Sequence, residues 1–193
     1  MNLPTQLTLL RIVLTFVVMM LVFMPGAVAK ALALALFCTA AATDWLDGYL
    51  ARKYGQISAL GALLDPIADK VLVLGTLLAF VQLELVRAWM VLVILIRELL
   101  ITSARLYAVG HRIVIPAATE GKHKAVSQMA TVILILLLLT GRELVPSASS
   151  AGFESVMARL IPGAMWLTVI LTVMSGGSFL WRNRSVLLHA GTR

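Results

Sequence analysis

Cysteine occurs once, at position 38 inside an apolar run, so a framework of intramolecular disulfides is excluded. The three histidines, His111, His123 and His189, are scattered and form no Cys/His cluster of the kind zinc requires. Charged residues make up only 13% of the chain, where soluble domains carry about 25%. Aromatic residues are 7%, and they do not interleave with basic ones. The net charge of +7 therefore does not describe a nucleic-acid surface. Repeats and low-complexity segments are absent as well. What fills the 193 residues is apolar: 61% of them are hydrophobic, and the mean hydropathy is +0.98. Disorder and a water-soluble globule are both excluded by these values, and an all-α integral membrane protein is the expected class.

A spanning helix needs about 20 mostly apolar residues. Ile12–Ala29, Ala125–Gly141 and Leu160–Trp181 meet or approach that length without a charge. Ala31–Thr43, Val71–Leu83 and Ala88–Ile96 reach it only if the charges at their ends belong to the same helices. This predicts a single domain, 1–193, of six transmembrane helices near 9–25, 29–53, 57–82, 87–110, 122–141 and 157–182. A mildly amphipathic segment, 2–10, is placed along the membrane interface, and Arg142–Met157, with Pro146 and several serines, reads as an external loop. Ionisable residues at membrane depth must face one another or a wet cavity, so three such helices predict a polar cavity between them.

Basic residues expected in loops divide unevenly between the two sides. Arg52, Lys53, Arg112, Lys122, Lys124, Arg182, Arg184 and Arg193 fall with the N-terminus, against Lys30, Arg87, Arg142 and Arg159 opposite. That asymmetry predicts both termini and the polar cavity on the cytoplasmic side of the cell's inner membrane. Arg11, Ile12–Met24 and Ala27-Val28-Ala29 also imitate a cleavable leader.

All four aspartates of the chain lie in one window of 26 residues. It reads Asp44-Trp-Leu-Asp47-Gly48-Tyr-Leu-Ala51-Arg52, then eight residues, then Gly61-Ala-Leu-Leu-Asp65-Pro-Ile-Ala-Asp69. Asp44 and Asp47 share a helix face, as do Gly61, Asp65 and Asp69. Counted from Gly55, Asp47 and Asp65 stand 8 and 10 residues away, and Asp44 and Asp69 stand 11 and 14 away. On antiparallel helices these positions have comparable depth. Four carboxylates in a low-dielectric cavity are either partly protonated or bound to cations. Oxygen-only ligands suit hard cations, Mg²⁺ or Mn²⁺ more than zinc, and two such ions would clamp a phosphoryl group. Gly48 and Gly61 leave room for a ligand beside the acids, and Arg52 can neutralise a diphosphate. A lone acid near a helix end more often marks the interface, and a lone glycine more often serves close packing.

The pattern D-x2-D-G-x2-A-R-x8-G-x3-D-x3-D, matched here at every defined position, resembles the signature of the CDP-alcohol phosphatidyltransferase family. The resemblance implies a six-helix membrane enzyme with the CDP-alcohol phosphotransferase fold, commonly a homodimer, with two divalent metals near the cytoplasmic face. It implies that Asp44, Asp47, Asp65 and Asp69 are metal ligands and that Asp69 is also the general base. Gly48, Arg52 and Gly61 would hold the CDP moiety of the lipid donor, CDP-diacylglycerol.

The acceptor is read from a second group of residues. Arg97-Glu98-x6-Arg105 puts two arginines about 80° apart around a helix, so both can border one cavity. Gly121-Lys122-His-Lys124-Ala125-x2-Gln128 opens the fifth helix, where two lysines and the helix dipole suit a phosphate. Lys122 and Lys124 also read as loop charges that set topology. Both stretches, and Asn2-Leu-Pro4-Thr-Gln-Leu7-Thr8-Leu-Leu-Arg11, are similar to the phosphatidylglycerophosphate synthase branch of the family, and the last argues against cleavage of a leader. Ala125 departs from the threonine usual there. The branch implies glycerol 3-phosphate as acceptor, its phosphate held by Arg105, Lys122 and Lys124. Inositol phosphate fits these cations nearly as well, whereas serine or phosphatidylglycerol would be a same-chemistry alternative. A cation transporter is the alternative of a different class, but it leaves Arg52 and the cytoplasmic lysines without a role.

Overall fold

The computed structural model describes the backbone of residues 3–54, 59–110, 120–145 and 150–189. Side chains are described within these ranges except at 3–8, 44–54, 59–69, 120–122, 150 and 185–189. Among the described residues there are six helices and no strand: α1 (Leu3–Phe23), α2 (Ala27–Tyr54), α3 (Ala59–Gln82), α4 (Ala88–Gly110), α5 (Glu120–Leu144) and α6 (Ser150–His189).

Short connections with identifiable chemistry set the ends of these helices. Pro25 disfavours helix at Met24, and Gly26 takes a left-handed φ of 97° that a side chain would resist. The Gly26 N–H donates to Glu143 Oε2 of α5 at 3.1 Å. Lys30, one turn into α2, reaches back to donate to the carbonyls of Val22 and Met24. It satisfies carbonyls that the end of α1 leaves without an intrahelical partner. After α3, the Leu85 N–H bonds the Phe80 carbonyl and the Glu84 N–H bonds the Val81 carbonyl, each at 3.0 Å. This is the paired closure of a helix C-terminus that needs one left-handed residue, here Glu84 with φ 60°.

Two boundaries differ from those read in the sequence. α1 starts at Leu3, so the segment placed along the interface and the first span are one helix of 21 residues. Pro4 is tolerated because its missing N–H falls in the first turn, where no intrahelical partner exists anyway. The expected external loop, Arg142–Met157, is largely helical, since α5 runs to Leu144 and α6 starts at Ser150. Packing overrides the drop in hydropathy there. Phe153 lies over Gly141, where an added Cβ would stand 2.9 Å from the ring, and Arg142 pairs with Glu154 at 2.7 Å. α6 then continues through an internal Pro162 for 40 residues, about 60 Å of helix.

α1 packs on α2 and α3, α2 on α5, α5 on α6, and α4 on α6. The core draws Val18 and Val22 from α1, Phe37 from α2, Leu72 and Phe80 from α3, Ile94 from α4, Ile135 from α5 and Met165 from α6. Contacts between α5 and α6 run from Thr131–Thr168 (2.8 Å between hydroxyls) to Gly141–Phe153, so the pair is antiparallel. Those between α4 and α6 run from Trp89–Trp166 through Arg97–Ser175 to Arg105–Phe179, so that pair is parallel. Large apolar side chains also face outward on every well-described helix, among them Phe16, Met20, Leu99, Leu106, Leu137, Leu167 and Val173. By length and composition, two described segments, His123–Leu144 and Ala151–Arg184, suffice to cross a membrane, while Leu9–Phe23, Ala27–Thr43 and Lys70–Gln82 are shorter apolar helices.

α1 and α3 approach closely at Gly75, where a Cβ would lie 2.8 Å from Thr15 Cγ2 and 3.5 Å from Met19 Sδ. Thr15 is buried and its hydroxyl is bonded to the Arg11 carbonyl at 2.9 Å, so it has little freedom to yield. Gly75→Leu is expected to lose about 1–3 kcal/mol through overpacking. Thermal unfolding in detergent should show a clear fall in Tm, whereas Gly163→Leu, with nothing within 4 Å of its Cβ, should leave Tm unchanged or raise it.

Candidate active site

The acidic window spans the end of α2 and the start of α3, which touch one another and are separated in sequence only by 55–58. Asp44, Asp47, Gly48 and Arg52 are positions of α2, and Gly61, Asp65 and Asp69 are positions of α3. Their side chains lie outside the described residues, as does that of Lys122 in the first turn of α5. Among the described residues no group of three or more His, Cys, Asp or Glu side chains could hold a metal ion. The donor set of the window, four carboxylates without sulfur or imidazole, is the chemistry that suits a hard divalent cation.

The second group of residues is described in detail, and it is organised around α4. Glu98, Thr102 and Arg105 are spaced i, i+4 and i+7, so they share one face of that helix. Each reaches a different neighbour. Glu98 is buried and forms an ion pair with Lys124 of α5. Thr102 accepts a hydrogen bond from the ammonium of Lys70, the residue that follows Asp69 on α3. The Arg105 guanidinium carbon stands 5.5 Å from the centroid of the Phe179 ring on α6, within cation–π range.

Arg97 extends the cluster to α6. Its Nη1 lies 3.3 Å from Glu98 Oε1, and its Nη2 donates to Ser175 Oγ at 3.1 Å. Ser175 in turn donates to the Thr172 carbonyl at 3.0 Å. Gly176 allows this approach, since a Cβ there would stand 3.1 Å from Arg97 Cγ. Among the described residues one carboxylate thus faces two cations. Arg97 Nε, Arg105 Nε and Gln128 Nε2 are buried donors without a hydrogen-bond partner among the described residues. Such groups are costly unless an acceptor arrives.

Three cavities adjoin these side chains, one of them a space of about 240 Å³ between α4 and α6 that Arg97, Val173 and Gly176 line. A space of about 20 Å³ is bordered by Lys70, Glu98, Lys124 and Gln128. A groove of about 280 Å³ between α5 and α6 is lined by His123, Lys124, Leu171, Met174, Ser175 and Ser178. Lys124 borders the latter two. The arrangement can therefore present positive charge and N–H donors to an anion entering between α4, α5 and α6.

Of the residues assigned to the acceptor, Arg105 is on α4 and Lys124 on α5, two helices that both pack on α6, with Lys124 engaged by Glu98 rather than standing as a loop charge. Lys30 is likewise a buried cap of α1 and not a loop charge. Lys70, Thr102 and Ser175 were not singled out from the sequence, and Glu98 entered only as a position of the Arg97-Glu98-x6-Arg105 stretch, without a role of its own. A signal existed for Glu98, because an acid between apolar residues of a helix needs a partner. None existed for Thr102 or Ser175, whose roles come from residues 32 and 78 positions away.

Comparison with known proteins comes from two directions. The family model described as CDP-alcohol phosphatidyltransferase matches residues 1–175. The CDP-diacylglycerol–glycerol-3-phosphate 3-phosphatidyltransferase of Bacillus subtilis is 35% identical over 96% of this chain and 97% of its own length. A probable phosphatidylglycerophosphate synthase of Mycobacterium tuberculosis is 43% identical over 72% of this chain and 68% of its own length. A relative from Rickettsia typhi, with the same name as the Bacillus protein, is 30% identical over 92% of this chain and 94% of its own length.

The Lys70–Thr102 bond ties α3, just beyond the acidic window, to the cationic face of α4. Thr102→Val should cost about 1–3 kcal/mol by leaving the ammonium without that acceptor. A fall in Tm for Thr102→Val, with Thr102→Ser close to wild type, is the expected result of thermal denaturation in detergent.

Proposed function

The chain belongs to the CDP-alcohol phosphatidyltransferase family, and on that premise we propose that it moves the phosphatidyl group of CDP-diacylglycerol onto glycerol 3-phosphate, giving phosphatidylglycerophosphate and CMP. The observation that carries this reading is the acidic window on α2 and α3, complete at every defined position and followed in the chain by the cations of α4 and α5. The names of the Bacillus and Rickettsia relatives state the same donor and acceptor.

The lipid donor approaches from the bilayer, its acyl chains remaining among lipid. Gly48, Arg52 and Gly61 hold the CDP moiety. When bound, two divalent cations, Mg²⁺ or Mn²⁺, supply positive charge against the diphosphate and the leaving CMP, and Asp44, Asp47, Asp65 and Asp69 are the residues that would hold them. Glycerol 3-phosphate arrives from the cytoplasm, with its phosphate on Arg105, Lys122 and Lys124. Asp69 accepts the proton of the 1-hydroxyl as that oxygen attacks the phosphorus bonded to diacylglycerol. The bond from this phosphorus to the CMP oxygen breaks, and the lipid product stays in the membrane.

The whole chain acts as one multi-pass catalytic unit in this reading. Six helices span the inner membrane, both termini and the active site face the cytoplasm, and the enzyme works as a homodimer. Support for the spanning arrangement comes from the outward apolar side chains. Support for the orientation comes from the excess of basic residues at the ends of helices on the N-terminal side.

CMP release by the purified protein, with CDP-diacylglycerol and Mg²⁺ or Mn²⁺, tests the reaction when one acceptor is offered per tube. Release is expected with glycerol 3-phosphate and not with inositol phosphate, serine or phosphatidylglycerol, and it should cease on Asp69→Asn while the fold persists. Release with inositol phosphate alone would move the acceptor assignment within the family. Arg105→Ala is expected to raise KM for glycerol 3-phosphate about tenfold, the loss of one charge-assisted contact. An equal rise in KM for CDP-diacylglycerol would remove Arg105 from the acceptor site.

A further inference from the structure

Glu98 stands out among the buried groups because the reaction gives it no task. It lies in the middle of α4, 6% exposed, with Lys124 on one side and Arg97 on the other. A buried ion pair does not hold two helices together better than well-packed apolar side chains would. Among the described residues α4 and α5 are not packed against each other but both touch α3 and α6, and the Glu98 and Lys124 side chains meet across the space between them. What the carboxylate supplies instead is position. A lysine ammonium ends a flexible four-carbon stem whose freedom must be given up before it can meet a ligand. An anchoring carboxylate removes that freedom in advance, which strengthens binding without adding a contact to the ligand.

The surroundings match this role. Among the described residues Lys124 and Arg97 outnumber the carboxylate two to one, which is the sign that an oxyanion needs. Lys124 also borders the groove of about 280 Å³, so the clamp sits at a cavity wall and not in sealed core. Arg97 is fixed a second time by Ser175.

We propose that Glu98 is a positioning residue for the acceptor site: its carboxylate, which also meets Arg97, holds Lys124 at the wall of the groove in the arrangement that receives the phosphate of the acceptor. The proposal rests on the reading of Lys124 as an acceptor contact. Glu98 itself touches neither substrate.

Steady-state kinetics of the full-length enzyme in detergent, varying each substrate in turn, tests it. Glu98→Gln keeps the size of the side chain and removes its charge, and it should raise KM for glycerol 3-phosphate about tenfold. KM for CDP-diacylglycerol should stay within about twofold. Glu98→Asp keeps the charge but draws it back by one methylene, and it should give a smaller rise, about threefold, again confined to glycerol 3-phosphate. Lys124→Met should raise the same constant, and adding Glu98→Gln to it should change the constant little further, as two members of one unit behave. Equal rises for both substrates, or effects of Glu98→Gln and Lys124→Met that multiply, overturn the proposal and make Glu98 a structural link. If Glu98→Gln yields no folded protein, Glu98→Asp decides: a selective rise supports the proposal and unchanged constants overturn it. A wild-type protein that releases no CMP with glycerol 3-phosphate overturns the proposed function and this inference together. Wild-type activity with an unaltered Glu98→Gln enzyme overturns this inference alone.

Discussion

An arginine and a glutamate placed side by side in an apolar helix have no water to turn to, and α4 meets that constraint by giving each residue a partner on another helix. Glu98 takes Lys124 from α5, Arg97 takes Ser175 from α6, and Thr102, one turn along, takes Lys70 from α3. The cost of burying any of these groups alone exceeds what a single apolar contact returns. A helix tied through three polar side chains to three neighbours is narrowly fixed in rotation and height. Because it shares a face with Glu98 and Thr102, Arg105 inherits its direction from bonds that it does not make.

The rest of the bundle is held by weaker and more local means. α5 and α6 meet through threonine hydroxyls, Thr131 with Thr168 at 2.8 Å and Thr168 with the Ser127 carbonyl at 3.3 Å, which are the short polar contacts that serve where burial alone gives little preference between helices. α1 and α3 meet where Gly75 removes a side chain opposite Thr15. α1 and α2 are joined through Lys30, whose ammonium closes the end of the preceding helix. In each case a small or polar residue defines a register that an all-leucine surface would leave free to slide.

Six helices and their order were legible in the sequence because uncharged runs and their charged ends recur at the length of a helix. The ends were less legible where hydropathy and helicity part company. α1 extends back to Leu3 because Pro4 is harmless in a first turn, and α6 begins at Ser150 because Phe153 packs over Gly141. The four aspartates were legible because spacing on a helix is a property of the chain alone. Glu98 with Lys124, 26 residues apart, was not. Charge counting had treated Lys30 and Lys124 as loop cations, and that method reads where a charge stands in the chain without seeing what faces it across a bundle.

The division of charge along the chain has a consequence for how two unlike substrates share one site. The acidic window lies on α2 and α3, while the described cations that border the cavities come from α4 and α5, with Lys70 between them, next to Asp69 in sequence and bonded to Thr102 across the boundary. A diphosphate can approach the carboxylates only with cations to mediate, whereas a phosphate monoester meets the basic side with no mediator. In the proposed reaction, opposite fields on adjoining helices would sort the two anions before any specific contact forms. The same opposition attracts the two halves of the bundle to each other, so binding an anion at the basic side weakens that attraction at the moment the site fills. A bond such as Lys70–Thr102, which joins a charge to a neutral hydroxyl, keeps the halves in register through that change because its strength does not depend on the balance of charge between them.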